Sequence, residues 1–149
     1  QLDTRDDRTN LIKSRIGFER KVDMVLGPRD SLLKDLDELK SWDFLFIDEV
    51  QFLTSKQIEE LRILSIYMHD IYCYGLRTDY KSYLFEGSKR LMELADNIEE
   101  IKSICYGCNK KSIINMRYDF GKQRAIKTGN IILLGKEDIY KSTCWECYI

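Results

Sequence analysis

Apolar positions in the first half of the chain alternate between helical spacing and short continuous runs. Four leucines between residues 30 and 40 recur at helical spacing and predict a short amphipathic helix. Residues 44–47 (Phe-Leu-Phe-Ile) are continuously apolar, which suits a strand buried on both faces of a parallel sheet. Thr54 and Gln57 have the spacing of a helical capping box, so a second helix is predicted to begin there.

A second apolar run covers residues 71–76 and predicts another buried strand. Strand, helix and strand over residues 43–76 then form one βαβ unit, whose crossover is expected to be right-handed. Residues 86–96 predict one more helix. The pattern indicates an α/β protein with a parallel sheet.

After about residue 100 the pattern changes to short β-like runs at residues 112–118 and 130–134. A stretch containing Gly and Lys, residues 120–129, joins them. We therefore predict two domains, an α/β core over residues 1–101 and a small cysteine-clamped β module over residues 102–149.

Composition narrows the function classes. The 149 residues include 24 Lys and Arg against 25 Asp and Glu, and this balance argues against a general nucleic-acid binder. Hydrophobic residues make up 44% of the chain, enough for a packed core. No apolar run approaches the roughly 20 residues that span a bilayer, so no membrane partner is expected.

The five cysteines predict a metal site rather than disulfides. An odd count without a secretion signal indicates cytoplasmic thiols or metal ligands. Cys105 and Cys108 form one C-x-x-C pair, Cys144 and Cys147 form another, and the pairs flank the β-like runs. Two such turns can close a Cys₄ site with no open position, which predicts structural zinc. The alternative is four unligated thiols, whereas Cys73 is expected to be a small buried core residue.

Two carboxylates follow the first predicted strand directly. In an open α/β sheet the carboxyl ends of the strands line the ligand crevice. Asp48 there has the position of an acidic residue that holds Mg²⁺ in P-loop phosphotransferases. The neighbouring Glu49 could act as a general base on a hydroxyl. The alternative is an ordinary solvated turn after a strand.

Several motifs together resemble the type II thymidine kinases. Residues 47–52 (I-D-E-V-Q-F) resemble the family signature I-D-E-x-Q-F. Further resemblances follow in the family's order: residues 3–5 (D-T-R), 14–17 (S-R-I-G), 74–80 (Y-G-L-R-T-D-Y), 84–88 (L-F-E-G-S), and a lasso loop leading through Tyr140 to Cys144.

The resemblance implies an ATP-dependent kinase that transfers the γ-phosphoryl group to the 5′-hydroxyl of thymidine for DNA precursor synthesis. It implies a P-loop-kinase-like parallel sheet with a zinc-bound lasso module over residues 102–149. It also implies Mg²⁺ as a cofactor, a homotetramer, and feedback inhibition by thymidine triphosphate.

The resemblance also implies roles for individual residues. Glu49 matches the catalytic base, and Asp48 matches the Asp associated with Mg²⁺. Asp3 and Arg5 match a pair near the phosphates, with Arg5 stabilising charge. The residues that match the thymidine site are Phe52, Leu76, Tyr80, Phe85 and Tyr140, together with the backbone of the lasso segment Ile131, Ile132, Leu133, Leu134 and Gly135.

The chain departs from the family pattern in three places. Lys136 follows Gly135 where members often have a second glycine, and Tyr80 replaces a common Phe, which adds a hydroxyl that needs a partner. No G-x-x-x-x-G-K-[ST] phosphate loop occurs in the sequence. We therefore expect that a segment preceding Gln1 is missing from this sequence, and that the chain alone phosphorylates thymidine poorly.

Two other functions stay open at this stage. A non-catalytic zinc-ribbon interaction module on a degenerate kinase core would bind zinc but no nucleoside. Another P-loop nucleotide kinase or ATPase would show no preference for pyrimidine deoxynucleosides.

Overall fold

Short strands and helices alternate along the chain in a computed structural model that describes residues 11–14, 16–119, 121, 123–131 and 140–149. The described residues cluster into two compact units. The first unit comprises the chain up to Leu76 together with Glu86–Ala95, and the second comprises Arg77–Phe85 and Asp96–Ile149. The domain boundary between residues 101 and 102 stays a prediction.

The first unit contains most of the helices. Its elements are β1 (Leu11–Lys13), β2 (Glu19–Lys21), a 3₁₀ turn (Leu32–Asp35), α1 (Leu36–Leu39), β3 (Phe44–Ile47), a second 3₁₀ turn (Val50–Phe52), α2 (Ser55–Leu64), β4 (Asp70–Cys73) and α3 (Glu86–Leu94). β1 and β2 pair as an antiparallel hairpin.

The predicted βαβ unit is present. β3 pairs with β4 in parallel, with Phe44 opposite Asp70 and Ile47 opposite Cys73, and α2 lies between them in sequence. The expectation that β3 is buried on both faces is wrong. Phe44 and Phe46 are 50% and 66% exposed, because only the opposite face of this two-stranded sheet packs on the core.

The predicted helix over residues 30–40 is interrupted. It divides into a 3₁₀ turn that ends at Asp35 and the short helix α1 that begins at Leu36, and the backbone of Asp35 is not α-helical. Two backbone N–H groups at the start of the 3₁₀ turn donate to side chains. The N–H of Leu32 donates to a carboxylate oxygen of Glu60, and the N–H of Leu33 donates to the Ser31 hydroxyl. The buried Glu60 on α2 thereby fixes this segment.

The predicted capping box at the start of α2 is confirmed. Thr54 accepts a hydrogen bond from the N–H of Gln57, and the Gln57 side chain accepts one from the N–H of Thr54. Glu86 at the start of α3 accepts a further hydrogen bond from the N–H of Ser55 at 2.8 Å. This network joins the beginnings of α2 and α3.

The core of the first unit lies between the β3–β4 sheet and the helices. Its buried members are Leu26, Leu32, Leu39, Ile47, Val50, Leu53, Ile58, Leu61, Leu64 and Met68. Cys73 packs against this core, and burial raises the pKa of its thiol to about 11. The structure therefore supports the expected inert role of Cys73.

The second unit is built around a three-stranded antiparallel sheet. It contains β5 (Ile114–Asp119), β6 (Arg124–Ala125), β7 (Tyr140–Thr143) and the short helix α4 (Trp145–Tyr148), with β5 in the centre of the sheet. The β-like run predicted at residues 112–118 corresponds to β5. Residues 130 and 131 are not in a strand, and residues 132–134 of that predicted run lie outside the described ranges.

Within the described part of the chain, no helix is long and apolar enough to cross a membrane.

We predict that Thr54→Ala lowers the free energy of unfolding by about 1 kcal/mol, because the capping box is lost from the start of α2. Chemical denaturation of the two proteins measures the difference. Thr128→Ala is the matched control, since Thr128 is exposed and its side chain makes no hydrogen bond within the described residues. Equal stability of wild type and Thr54→Ala would contradict the energetic role of the cap.

Candidate functional site

The candidate site in the first unit lies in the turn after β3. Asp48 and Glu49 leave the strand, and the 3₁₀ turn begins at Val50. Tyr74 donates an N–H to the carbonyl of Ile47 at 2.8 Å, and Val50 donates one to the carbonyl of Tyr74 at 3.0 Å. These bonds hold both carboxylates at the carboxyl end of the parallel pair, where sequence reasoning placed them.

Glu49 has an unusual backbone conformation. Its φ of 55° and ψ of 36° are left-handed, a region that is uncommon for residues other than glycine, asparagine and aspartate. The N–H of Glu49 donates to Asp48 Oδ1 at 2.9 Å. The Glu49 carboxylate accepts a hydrogen bond from the side-chain amide of Gln51. The conformation is therefore stabilised from both neighbouring side chains, and such strain often occurs at functional positions.

Gln51 is the residue that sequence reasoning missed. Gln51 belongs to the motif at residues 47–52, but the sequence analysis gives it no role. The available signal is a polar residue between the apolar Val50 and Phe52, directly after the apolar strand. Its side chain is only 2% exposed, and its Oε1 accepts the N–H of Leu76 at 3.0 Å. Gln51 thus connects the Glu49 carboxylate with the backbone that follows β4.

Glycines allow the close approaches around this turn. A Cβ at Gly75 would lie 2.4 Å from Gln51 Oε1, and one at Gly87 would lie 2.5 Å from the carbonyl oxygen of Leu53. The hydroxyl of Ser88 donates to the carbonyl of Leu76 at 2.7 Å. The start of α3 therefore packs directly on the segments that carry the predicted site residues.

Two residues that match the thymidine site of the family lie in the same part of the first unit. Phe52 is half-buried at the end of the 3₁₀ turn, and Leu76 is 42% exposed. The structure therefore brings the two carboxylates, an aromatic ring and an aliphatic side chain to the carboxyl ends of β3 and β4.

Tyr80 is tightly held in the second unit. Its side chain is 2% exposed, and its hydroxyl donates to the carbonyl of Gly129 at 2.8 Å. The Tyr148 hydroxyl donates to the carbonyl of Tyr80 at 3.0 Å, and the Arg117 guanidinium lies 5.4 Å from the Tyr80 ring centre. The hydroxyl that distinguishes Tyr80 from the family's Phe therefore has a partner.

Tyr140 lies across the sheet from the same arginine. It is opposite Arg117 in the pairing of β5 with β7, and burial raises the pKa of its hydroxyl. Arg117 Nη1 donates to the carbonyl of Asn130 at 3.3 Å, next to the half-exposed Ile131. Phe85 is also half-buried, and its N–H donates to the carbonyl of Arg77 at 3.4 Å.

The remaining predicted site residues, namely Asp3, Arg5, Ile132, Leu133, Leu134 and Gly135, lie outside the described residues.

The four predicted metal ligands come together in the second unit. The Sγ atoms of Cys105, Cys108, Cys144 and Cys147 all lie within 4.8 Å of one another. Two of these separations, Cys108 to Cys144 and Cys108 to Cys147, are 3.7 Å. Tetrahedral zinc with Zn–S bonds of about 2.3 Å requires sulfurs about 3.8 Å apart. The cluster therefore fits a tetrahedral metal ion.

Local backbone structure brings the four cysteines together. An isolated bridge between Ile104 and Lys111 closes the first cysteine turn, and Cys147 belongs to the short helix α4. A Cβ at Gly107 would lie 3.1 Å from the Cys147 sulfur, so glycine leaves room for the second pair. A hydrogen bond from the backbone of Cys144 lowers the pKa of Cys105 to about 6, which favours the thiolate that metals bind.

Comparisons with known proteins give consistent matches. A family model described as thymidine kinase matches residues 1–148. The chain is 44% identical to a thymidine kinase of Encephalitozoon cuniculi, with 98% of this chain and 68% of that protein aligned. It is 38% identical to the thymidine kinase of Enterobacteria phage T4, over 96% of this chain and 74% of the phage protein.

A bacterial relative gives the same result. The thymidine kinase of Chromobacterium violaceum is 34% identical, with 96% of this chain and 77% of the bacterial protein aligned. Similarity to proteins of one description thus extends across microsporidian, phage and bacterial sources.

We predict that Tyr80→Phe lowers the free energy of unfolding by about 1 kcal/mol, because the Gly129 carbonyl loses its hydrogen-bond donor. Thermal unfolding measures the change. Tyr83→Phe is the control, since Tyr83 is 72% exposed in the same segment and its loss of a hydroxyl should have little effect. Equal shifts in the two variants would show that the bond to Gly129 does not stabilise the protein.

Proposed function

The chain belongs to the thymidine kinase family, and we propose that it transfers the γ-phosphoryl group of ATP to the 5′-hydroxyl of thymidine. The observation that carries the proposal is the Glu49 carboxylate, which lies at the carboxyl end of a parallel strand and is held there by the Gln51 amide. As a member of this family the protein is an enzyme that phosphorylates thymidine.

In the proposed reaction Glu49 acts as the general base. Its carboxylate takes the proton of the 5′-hydroxyl while that oxygen bonds to the γ-phosphorus of ATP. The bond between the γ-phosphorus and the β–γ bridging oxygen breaks, and ADP leaves. Glu49 then releases the proton to solvent. A carboxylate suits this step because it can receive a proton at an oxygen that points away from Gln51.

Asp48 is the proposed residue for the Mg²⁺ that accompanies ATP. Carboxylate oxygen is a preferred ligand of this ion, and Asp48 is half-buried at the end of β3. Bound Mg²⁺ neutralises phosphate charge during phosphoryl transfer. On the resemblance alone, we also propose that Asp3 and Arg5 lie near the phosphates of ATP, where Arg5 stabilises their charge.

The proposed thymidine contacts follow the family resemblance as well. Apolar and aromatic side chains suit the faces of a planar pyrimidine, whereas backbone amides suit its polar edge. The proposed contact residues are Phe52, Leu76, Tyr80, Phe85 and Tyr140, with the backbone of residues 131–135.

The cysteine cluster is proposed to hold structural zinc. Four sulfur ligands at tetrahedral separations leave no open coordination position, so the metal would stabilise the second unit rather than react. Residues Cys105 and Cys108 would thereby be linked to Cys144 and Cys147 at the end of β7 and in α4.

We further propose a P-loop-kinase-like fold, which the parallel β3–α2–β4 arrangement with carboxylates at a strand end supports. A cytoplasmic location is proposed from the cysteine content, and a homotetramer and feedback inhibition by thymidine triphosphate are proposed from the resemblance.

We predict that Glu49→Gln lowers the turnover number by at least about 100-fold, because an amide of the same shape cannot take the proton. The protein expressed from its complete reading frame is assayed with thymidine and ATP, and circular dichroism checks that it folds. Glu38→Gln, an exposed change on α1, is the control. Full activity of Glu49→Gln would contradict the assignment of the base.

Calorimetry with thymidine separates this proposal from its rivals. The kinase binds thymidine, a non-catalytic zinc-ribbon module does not, and another nucleotide kinase or an ATPase shows no preference for thymidine over purine nucleosides.

We predict one zinc ion per chain by elemental analysis of protein that has not been exposed to chelators. Cys147→Ser should lower the zinc content and the thermal stability, because one of the four ligands is lost. Cys73→Ala is the control and should keep the metal, since Cys73 belongs to the core of the first unit. Unchanged zinc content in Cys147→Ser would contradict the site.

A further inference from the structure

The side chain of Gln51 is polar and almost completely buried, and both atoms of its amide form hydrogen bonds. Its exposed fraction is 2%, and a buried amide is expected to have hydrogen-bond partners. Oε1 accepts the N–H of Leu76, and Nε2 donates to Glu49 Oε2. The amide therefore bridges the turn after β3 and the segment after β4.

The orientation of this amide follows from its partners. The backbone N–H of Leu76 can only donate, so the atom facing it must be the amide oxygen. The amide nitrogen then has to face Glu49, and it can only donate. The Glu49 oxygen on that side must therefore be an acceptor, as it is in a carboxylate.

Close packing keeps the Gln51 side chain in this place. A Cβ at Gly75 would lie 2.4 Å from Gln51 Oε1 and 2.9 Å from Val50 Cγ1, so only glycine fits opposite the amide. The Gln51 side chain has no room to move toward Gly75 and away from its two partners. Packing against Gly75 therefore adds to the restraint from the two hydrogen bonds.

The Glu49 carboxylate receives one of its restraints from Gln51. The left-handed backbone of Glu49 sets the direction in which the side chain leaves the turn. Gln51 donates to Oε2, and within the described part of the chain Oε1 accepts no hydrogen bond. One oxygen is thus held, while the other is left to receive a proton.

We propose that Gln51 is a positioning residue that fixes the Glu49 carboxylate for removal of the proton from the hydroxyl of thymidine. This inference rests on the proposed function, in which Glu49 is the base. The N–H of Leu76 holds the amide oxygen, so that the amide nitrogen faces Glu49.

The main test compares two equally buried glutamines. Gln51→Met should lower kcat on the order of 100-fold with KM for thymidine nearly unchanged, because the base is misplaced while binding surfaces remain. Gln57→Met is the matched control. Gln57 is also 2% exposed, and its amide donates to the carbonyls of Gly27 and Asp30, away from the carboxylates. Gln57→Met should lose thermal stability but keep its kcat.

A second variant covers the case in which Gln51→Met does not fold. Gln51→Glu keeps an oxygen for the N–H of Leu76 and replaces only the donor that faces Glu49. It should also lose kcat, because two carboxylates then face each other. A folded Gln51 variant with normal kcat overturns the proposal, and failure of both variants to fold assigns Gln51 to folding and also overturns it.

A double variant separates positioning from general damage. If Gln51 acts through Glu49, Gln51→Met causes no further loss of the residual rate in a Glu49→Gln background. An equal further loss in that background overturns the proposal. Full turnover of Glu49→Gln itself would instead refute the proposed base, so the two failures are distinguishable.

Discussion

The buried amide of Gln51 is the constraint on which the first unit's candidate site depends. It holds the Glu49 carboxylate on one side and the backbone N–H of Leu76 on the other. Strand pairing between β3 and β4 ends just before these residues, and the amide adds a side-chain link to the backbone bonds that join Val50 and Tyr74. Gly75 provides the space for it. A catalytic carboxylate on a turn is useful only when such neighbours restrict its position.

In the second unit, other groups restrict the positions of loop residues. The Tyr80 hydroxyl holds the carbonyl of Gly129, and Arg117 donates to the carbonyl of the next residue, Asn130. The four cysteines bring the end of β7, the short helix α4 and the first cysteine turn close together, where one metal ion could link them. A three-stranded sheet with few buried side chains gains much of its order from such local ties, which is why a metal ion is a reasonable addition to it.

Sequence patterns predicted the elements whose signals are local. The capping box at Thr54, the parallel pair of apolar runs and the two C-x-x-C turns each depend on residue spacing, and the structure contains all of them. The remaining predictions failed where the structure depends on contacts between residues that are distant in sequence. The helix predicted over residues 30–40 begins only at Leu32, whose N–H bonds to Glu60, a residue distant in sequence. Exposure of Phe46 depends on what covers a sheet face, which a strand's own pattern does not reveal.

Sequence reasoning gave roles to the carboxylates and to the residues that match the thymidine site, but it gave none to Gln51. A residue that reacts can be inferred from its chemistry, whereas a residue that positions another depends on a third partner, here the N–H of Leu76. Both Gln51 and Tyr80 bond to backbone groups, which any residue supplies. Their partners could therefore change side chain without losing the contact, except where space is limiting, as at Gly75. The positions that tolerate least change are thus the small residues beside the polar bridges, and these carry no chemical signal in the sequence.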